Sequence, residues 1–170
     1  MKIAIGCDHG GYELKEVIKE YLSEVLSIQY EDFGTFNKAR CDYPDYAFLV
    51  AHAVASEKCD FGIMIDGAGI GSAMMANKVP GVLAACANEI YTAENSRHHN
   101  GANVLTLGSM VVGPGVAKEI VKTFLNTKFE GDRNMERIKS ILDKEKQINN
   151  RGWHYANSKS YWYGYINSKS

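Results

Sequence analysis

The sequence is short of several things, and each shortage excludes a class of function. Its 170 residues carry 19 lysines and arginines against 20 aspartates and glutamates, a formal charge of −1. That balance gives no electrostatic reason to expect nucleic acid or an anionic membrane as partner. No apolar run approaches the roughly 18 residues that a membrane span needs. Met1-Lys2 leads straight into Ile3-Ala4-Ile5, too short a stretch for a signal-peptide core, with no cleavage-type segment behind it. The four cysteines (Cys7, Cys41, Cys59 and Cys86) include no C-x-x-C pair, so they give no sign of zinc or dithiol redox work. Most read as small buried hydrophobes of a reducing compartment. The expectation is a cytoplasmic globular protein, and 45% apolar content suffices for one domain with a sizeable core.

What is present is alternation. Residues 2–6 read as a buried strand ending in Gly6-Cys7-Asp8-His9-Gly10-Gly11. Residues 12–26 follow with Leu14, Val17, Ile18, Tyr21, Leu22 and Val25 at helical spacing. A second strand falls within 28–33, and a helix over 43–56 carries Tyr46, Ala47, Val50, Ala51 and Val54 on one face. Residues 61–65 give a third strand, then glycines and a helix through 74–77. Strands over 82–86 and 104–107 flank a helix over 89–98. Pro114 opens a helix over 115–125, because the first helical turn tolerates proline. A last helix, over 133–146, ends the regular pattern. Strands alternating with helices imply βαβ units, a parallel sheet and helices on both its faces. Ligands of such open sheets bind beyond the carboxyl ends of the strands. That rule selects Asp8-His9, the segment Asp66–Gly71 and Asn88.

From Gln147 the character changes. The last 24 residues hold no acidic residue, three basic ones, both tryptophans and four of the ten tyrosines. Polar small residues between aromatics suggest a tail that docks on its own oligomer or stays disordered. So few positive charges argue against a nucleic-acid-binding arm.

Gly67-Ala68-Gly69-Ile70-Gly71 follows an apolar strand and precedes a helix. Glycines there let backbone N–H groups approach an anion, either a cofactor phosphate or an oxyanion formed during reaction. A dinucleotide fingerprint wants a sixth-position glycine where Ser72 stands, and an acidic residue after the next strand where Ala85, Cys86 and Ala87 stand. Asp66, directly before the glycines, is placed to accept a substrate proton; a helix-capping aspartate would favour the same position. His98-His99-Asn100 closes a helix, where the dipole favours cationic histidine. Arg133 and Arg137, four apart, project from one helix face and suit either a phosphate or solvent.

Taken together, these segments resemble the type B ribose-5-phosphate isomerases and the related galactose-6-phosphate isomerase subunits. The resemblance is carried by Gly6-Cys7-Asp8-His9-Gly10-Gly11-Tyr12-Glu13-Leu14-Lys15, Asp42-Tyr43-Pro44-Asp45-Tyr46-Ala47 and the glycine loop. It continues through Ala76-Asn77-Lys78, Arg97-His98-His99-Asn100, Ala102-Asn103-Val104, and Phe129-Glu130-Gly131-Asp132-Arg133 with Arg137. It covers residues 1–146 as one domain and leaves the tail 147–170 unmatched. The resemblance implies a three-layer α/β/α, Rossmann-like fold with a five-stranded parallel sheet. It also implies a homodimer or dimer of dimers with active sites between subunits, and no metal or cofactor. The reaction implied is aldose–ketose interconversion of a sugar phosphate through an enediolate, with ribose 5-phosphate the leading substrate. In that scheme Asp8 and His99 open the sugar ring. The amides of Gly67, Ala68, Gly69 and Gly71 form an oxyanion hole, and Arg133 and Arg137 hold the phosphate. His9, Tyr43 and Asn100 line the sugar site.

The departures from that pattern are informative. Many type B enzymes resembled here carry a cysteine base where this chain has Asp66; others use a glutamate where it has Ser72. Asp66 therefore becomes the expected base. Ala68 replaces a usual hydroxyl residue, and Met110 stands where several members have a phosphate-assisting arginine. Another sugar phosphate (galactose-6-phosphate-like, allose 6-phosphate or a tetrose phosphate) is the alternative substrate. A weakly catalytic subunit needing an active paralogue, and a nucleotide-binding oxidoreductase, are the alternative functions.

Overall fold

The computed structural model describes residues 1–150. The chain falls into two compact units, Met1–Asn134 and the part from Met135 onward. In the first, strands and helices alternate: β1 (Lys2–Cys7), α1 (Tyr12–Glu20), β2 (Gln29–Asp32), α2 (Tyr43–Ala55) and β3 (Phe61–Asp66). They continue as α3 (Ile70–Ala76), β4 (Ala84–Cys86), α4 (Ile90–His98), β5 (Val104–Gly108) and α5 (Pro114–Asn126). A sixth helix, α6 (Asp132–Asn150), starts in the first unit and forms the described part of the second. It runs four residues past the expected end at Lys146. The aromatic segment 151–170 lies outside the described residues.

All strand pairings are parallel, and the five strands stand in the order β2-β1-β3-β5-β4. β1, β3 and β5 are buried on both faces, so they read as apolar runs rather than half-polar alternations. Successive side chains nevertheless sort to opposite faces. Ile3, Ile5, Ile63, Ile65, Leu105 and Leu107 pack with Leu14 and Ile18 of α1, Ala93 of α4, and Ile120 and Phe124 of α5. Ala4, Met64 and Val104 meet Val50 and Ala51 of α2 and Ala76 of α3 on the other face. Each such aliphatic side chain contributes about 1.5–3 kcal/mol on full burial. At Gly62 the second face has no room for a side chain: a Cβ would lie 2.8 Å from Val50 Cγ1, so glycine sets how closely α2 approaches.

Two local departures from the sequence pattern have visible causes. The expected strand over 82–86 begins only at Ala84. The Val82 N–H donates back to the Val79 carbonyl at 3.1 Å, and the Leu83 N–H donates to Asn103 Oδ1 at 2.8 Å. A turn and a side chain thus take the donors a strand would use. The helix expected to Leu26 instead closes in a π-helical turn over Tyr21–Val25.

Lys15 is fully buried, an unusual place for an ammonium. Its Nζ donates to both oxygens of Asp32, at 2.7 and 2.9 Å, and to the Thr35 carbonyl at 2.7 Å. Lys19 reaches the same carboxylate at 2.8 Å. This pins the strap after β2 to α1. Burial alone would raise the Asp32 carboxyl, but hydrogen bonds from Lys15, Lys19 and the Gly34 amide outweigh it and hold it below the ordinary value. A depressed folded-state value contributes stability that is present above the unfolded value, about 3.9, and is lost as pH falls through the folded value. Asp32→Ala leaves Lys15 buried without its carboxylate. Urea unfolding at neutral pH should show a loss of about 3–5 kcal/mol, and part of the wild-type decline below about pH 4 should disappear.

Candidate active site

β1 and β3 are neighbours, yet the helices that follow them pack on opposite faces: α1 on one, α3 on the other. That divergence opens a crevice at the carboxyl ends of the two strands, the position where open sheets take ligands. Asp8 follows β1 and Asp66 ends β3. The Asp8 N–H donates to the Ile65 carbonyl at 3.1 Å, which ties the two ends together. Asp8 Oδ1 accepts the N–H groups of Gly10 and Gly11, at 2.9 and 3.0 Å. Ser109 completes the stitching from the end of β5: its Oγ donates to the carbonyls of Gly10, at 2.9 Å, and Asp66, at 3.1 Å. Ser109 lies outside the residues singled out from sequence. Its only signal was its position one residue beyond a strand end.

Asp66 is 5% exposed, and its carboxylate is surrounded by donors. Oδ1 accepts the N–H of Ala68 at 2.8 Å and the N–H of Gly69. Oδ2 accepts the N–H of Ser72 at 3.0 Å and the Ser72 hydroxyl at 2.5 Å. The carboxylate folds the glycine loop around itself, and its static contacts are those of the capping role. Two amides of the expected oxyanion hole are engaged by the chain's own carboxylate. The amides of Ala68 and Gly69 point at Asp66, because an ionised carboxylate two or three residues upstream is the strongest acceptor within their reach. Among the described residues, the N–H groups of Gly67, Ile70 and Gly71 have no protein acceptor.

Side chains from neighbouring strands hold the loop in place. Gly69 sits at φ +81°, and its carbonyl accepts the Thr106 hydroxyl at 2.6 Å. Asn88, after β4, accepts the Gly108 N–H at 2.8 Å and donates to the Ala68 carbonyl at 3.1 Å. A Cβ on Gly71 would lie 2.6 Å from Tyr43 Cζ, so the Tyr43 ring rests on the loop backbone. His9 is exposed, with Nδ1 3.0 Å from the Cys41 carbonyl oxygen. That contact links the β1 loop to the segment leading into α2. Met110 is 88% exposed, with Sδ 3.6 Å from where a Gly67 Cβ would stand.

A second polar cluster stands at the end of α4. His99 caps the helix, with Nδ1 3.0 Å from Asn95 Nδ2 and Nε2 3.5 Å from Glu130 Oε2. Asn100 Nδ2 donates to Asn95 Oδ1 at 3.1 Å. Arg97 anchors this end: its guanidinium lies 4.4 Å from the Phe61 ring centre and 5.6 Å from that of Phe124, and donates to the Ala102 carbonyl at 2.6 Å. Arg133 is exposed in the first turn of α6, after Gly131 at φ +76°. Arg137 is on the same helix within the second unit. Among the described residues, no hydrogen bond or ion pair joins the His99 cluster to the Asp66 loop.

The cysteines are poor candidates for a base. Burial pushes the Cys7 thiol up to about 12. Cys86, beside the loop with its Sγ 3.5 Å from the Ala68 carbonyl oxygen, is raised by burial and then by the negative charge of Asp66. Neither thiol is a ready thiolate.

Comparison with known proteins agrees with this geometry. A family model described as Ribose/Galactose Isomerase matches residues 3–141. Ribose-5-phosphate isomerase B of Escherichia coli is 45% identical over 87% of this chain and 99% of its own length. The solved structure of ribose-5-phosphate isomerase B from Clostridium thermocellum superimposes with a TM-score of 0.85 at 47% identity, covering 87% of this chain and 99% of that one. That of ribose-5-phosphate isomerase B from Mycoplasma genitalium, with bound ribulose-5-phosphate, gives 0.81 at 44% identity, over 85% and 96%.

The loop's backbone yields one direct test. Gly69→Ala places a Cβ in the left-handed region and 3.0 Å from the Leu107 carbonyl carbon. Urea unfolding should show a loss of at least about 1–2 kcal/mol from the backbone term alone.

Proposed function

Because the chain belongs to the ribose/galactose isomerase family, we propose that it interconverts ribose 5-phosphate and ribulose 5-phosphate, with Asp66 as the base. The observation that carries this reading is the Asp66 carboxylate, enclosed by backbone donors at the carboxyl end of β3. Aldose–ketose interconversion removes a proton from the carbon next to a carbonyl and leaves negative charge on the carbonyl oxygen. Asp66 starts with that charge and passes it to the enediolate as it takes the proton. Donors already gathered for the carboxylate then stand beside the new oxyanion, joined by the N–H groups of Gly67, Ile70 and Gly71. Their interaction with the oxyanion grows as the reaction proceeds, which is what accelerates it.

The other residues take roles suited to their chemistry. Asp8 and His99 move protons during ring opening. His9, Tyr43 and Asn100 contact the sugar hydroxyls, and Arg133 and Arg137 hold the phosphate. The site is completed by a second copy of the chain. Two observations support this: among the described residues the His99 cluster has no polar link to the Asp66 loop, and Phe48, Leu49, Ile70 and Met74 are exposed on α2 and α3. A cytoplasmic setting suits four free cysteines; no described helix is long and apolar enough to cross a membrane.

Asp66 in place of a cysteine, Ala68 and the exposed Met110 favour a second reading, an isomerase of another sugar phosphate. Purified protein should be offered four-, five- and six-carbon aldose and ketose phosphates. Fastest turnover of ribose 5-phosphate is expected; a six-carbon or tetrose phosphate turned over faster selects the second reading. No turnover of any of them by the chain alone leaves only a subunit that needs an active paralogue. For the base, Asp66→Asn should lower kcat about 10²–10⁴-fold with KM nearly unchanged. Asp66→Cys restores a proton acceptor but not the carboxylate cap, so it should recover part of that loss. Near-normal kcat in Asp66→Asn removes Asp66 from the role.

A further inference from the structure

The cluster at the end of α4 has a composition that proton transfer on a sugar does not require. His98 and His99 are adjacent and half-buried, with ring centres 4.7 Å apart, and the exposed Glu130 faces them. One ligating atom from each of the three lies within 4.8 Å of the other two. Ligands at about 2.0–2.1 Å around a tetrahedral zinc ion stand about 3.3 Å from one another. Closing that gap takes small rotations of side chains that are only partly packed. We propose that His98, His99 and Glu130 form a site for zinc or a similar divalent cation, and that its occupation inhibits the enzyme.

Three features favour a site over a chance grouping. Two imidazoles and one carboxylate are a donor set that zinc prefers, and they leave a fourth position for water. The backbone holds the ligands together: the Glu130 N–H donates to the His98 carbonyl at 2.9 Å, so the two chain segments cannot drift apart independently. An outer partner also orients the carboxylate ligand. Asn134 Nδ2 donates to Glu130 Oε2 at 2.9 Å. Asn95 Nδ2 donates to His99 Nδ1 at 3.0 Å, which leaves the ring proton on Nε2 facing Glu130. Zinc entry displaces that proton and turns the Asn95 amide to accept from Nδ1. The four cysteines are uninvolved, which is why cysteine spacing gave no hint of metal binding.

The consequence follows from the ring that the metal occupies. Zinc on His99 Nε2 displaces the ring proton there, occupies the nitrogen through which the ring would move protons, and adds positive charge beside it. Inhibition therefore rests on the proposed ring-opening role of His99, whereas metal binding does not. The test separates the two. The full chain is titrated with zinc by calorimetry and with cobalt(II) by visible absorption, and isomerase turnover is followed over the same zinc range. The same measurements are made on His98→Gln, Glu130→Gln and Cys86→Ser. One zinc per chain is expected, with tetrahedral cobalt(II) bands that Cys86→Ser leaves unaltered. His98→Gln and Glu130→Gln should keep basal turnover while weakening zinc binding at least about tenfold and relieving inhibition in parallel. A chelator should restore wild-type turnover. Equal zinc affinity in wild type and both variants, or no binding to wild type, overturns the site. Binding that the variants lose but that never slows turnover confirms the site and counts against His99 in ring opening.

Discussion

Asp66 ends a central strand with a carboxylate that accepts the amides of Ala68, Gly69 and Ser72 and the Ser72 hydroxyl. Most of the ligand edge depends on that gathering. The loop can wrap so tightly only because Gly69 accepts a left-handed backbone and Gly71 leaves room for the Tyr43 ring. Once wrapped, its carbonyls become acceptors for Thr106 and Asn88, which fixes the loop to β5 and to the segment after β4. Ser109 and the Asp8 backbone then join the ends of β1, β3 and β5. One charged group thus sets the geometry on which the proposed substrate contacts rest. The same group is the proposed base, so structure and chemistry compete for its oxygens. A cysteine at this position would avoid that competition but would lack the charge that organises the loop.

The distribution of charge elsewhere follows a similar logic. Lys15, wholly buried, is tolerated because Asp32 and the Thr35 carbonyl replace its water. Arg97 is half-buried against two aromatic rings, which suits a weakly hydrated guanidinium, and that partial burial lowers its affinity for the proton. Both cations pin a loop to a helix, Lys15 at the carboxyl ends of the strands and Arg97 at their amino ends. The first secures the strap after β2, the second the turn that carries His99 and Asn100.

Much of this was legible in the sequence. Apolar runs separated by amphipathic stretches located all five strands and their parallel order of connection, because β1, β3 and β5 are buried on both faces and carry little else. Strand ends selected Asp8 and Asp66 through the rule that ligands sit beyond the carboxyl ends of parallel strands. What could not be read was where hydrogen bonds go. Whether a glycine-loop amide faces a substrate or a side chain depends on backbone angles that residue type only permits. So the amides of Ala68 and Gly69 were assigned to an oxyanion and are found on Asp66. The same limit hid the short start of β4, where Asn103 takes a strand donor, and left Ser109 unnoticed. The His98, His99 and Glu130 grouping was invisible for a different reason: Glu130 stands about thirty residues beyond the two adjacent histidines and meets them only through the fold.

The central claim is that a carboxylate at the end of β3 moves a proton through an enediolate. Turnover of ribose 5-phosphate in deuterium oxide, followed by proton NMR, tests it most directly. Proton transfer through Asp66 places deuterium at carbon 1 of ribulose 5-phosphate in the wild type, with no incorporation above background in Asp66→Asn. Asp66→Asn product formed and labelled at the wild-type rate contradicts it.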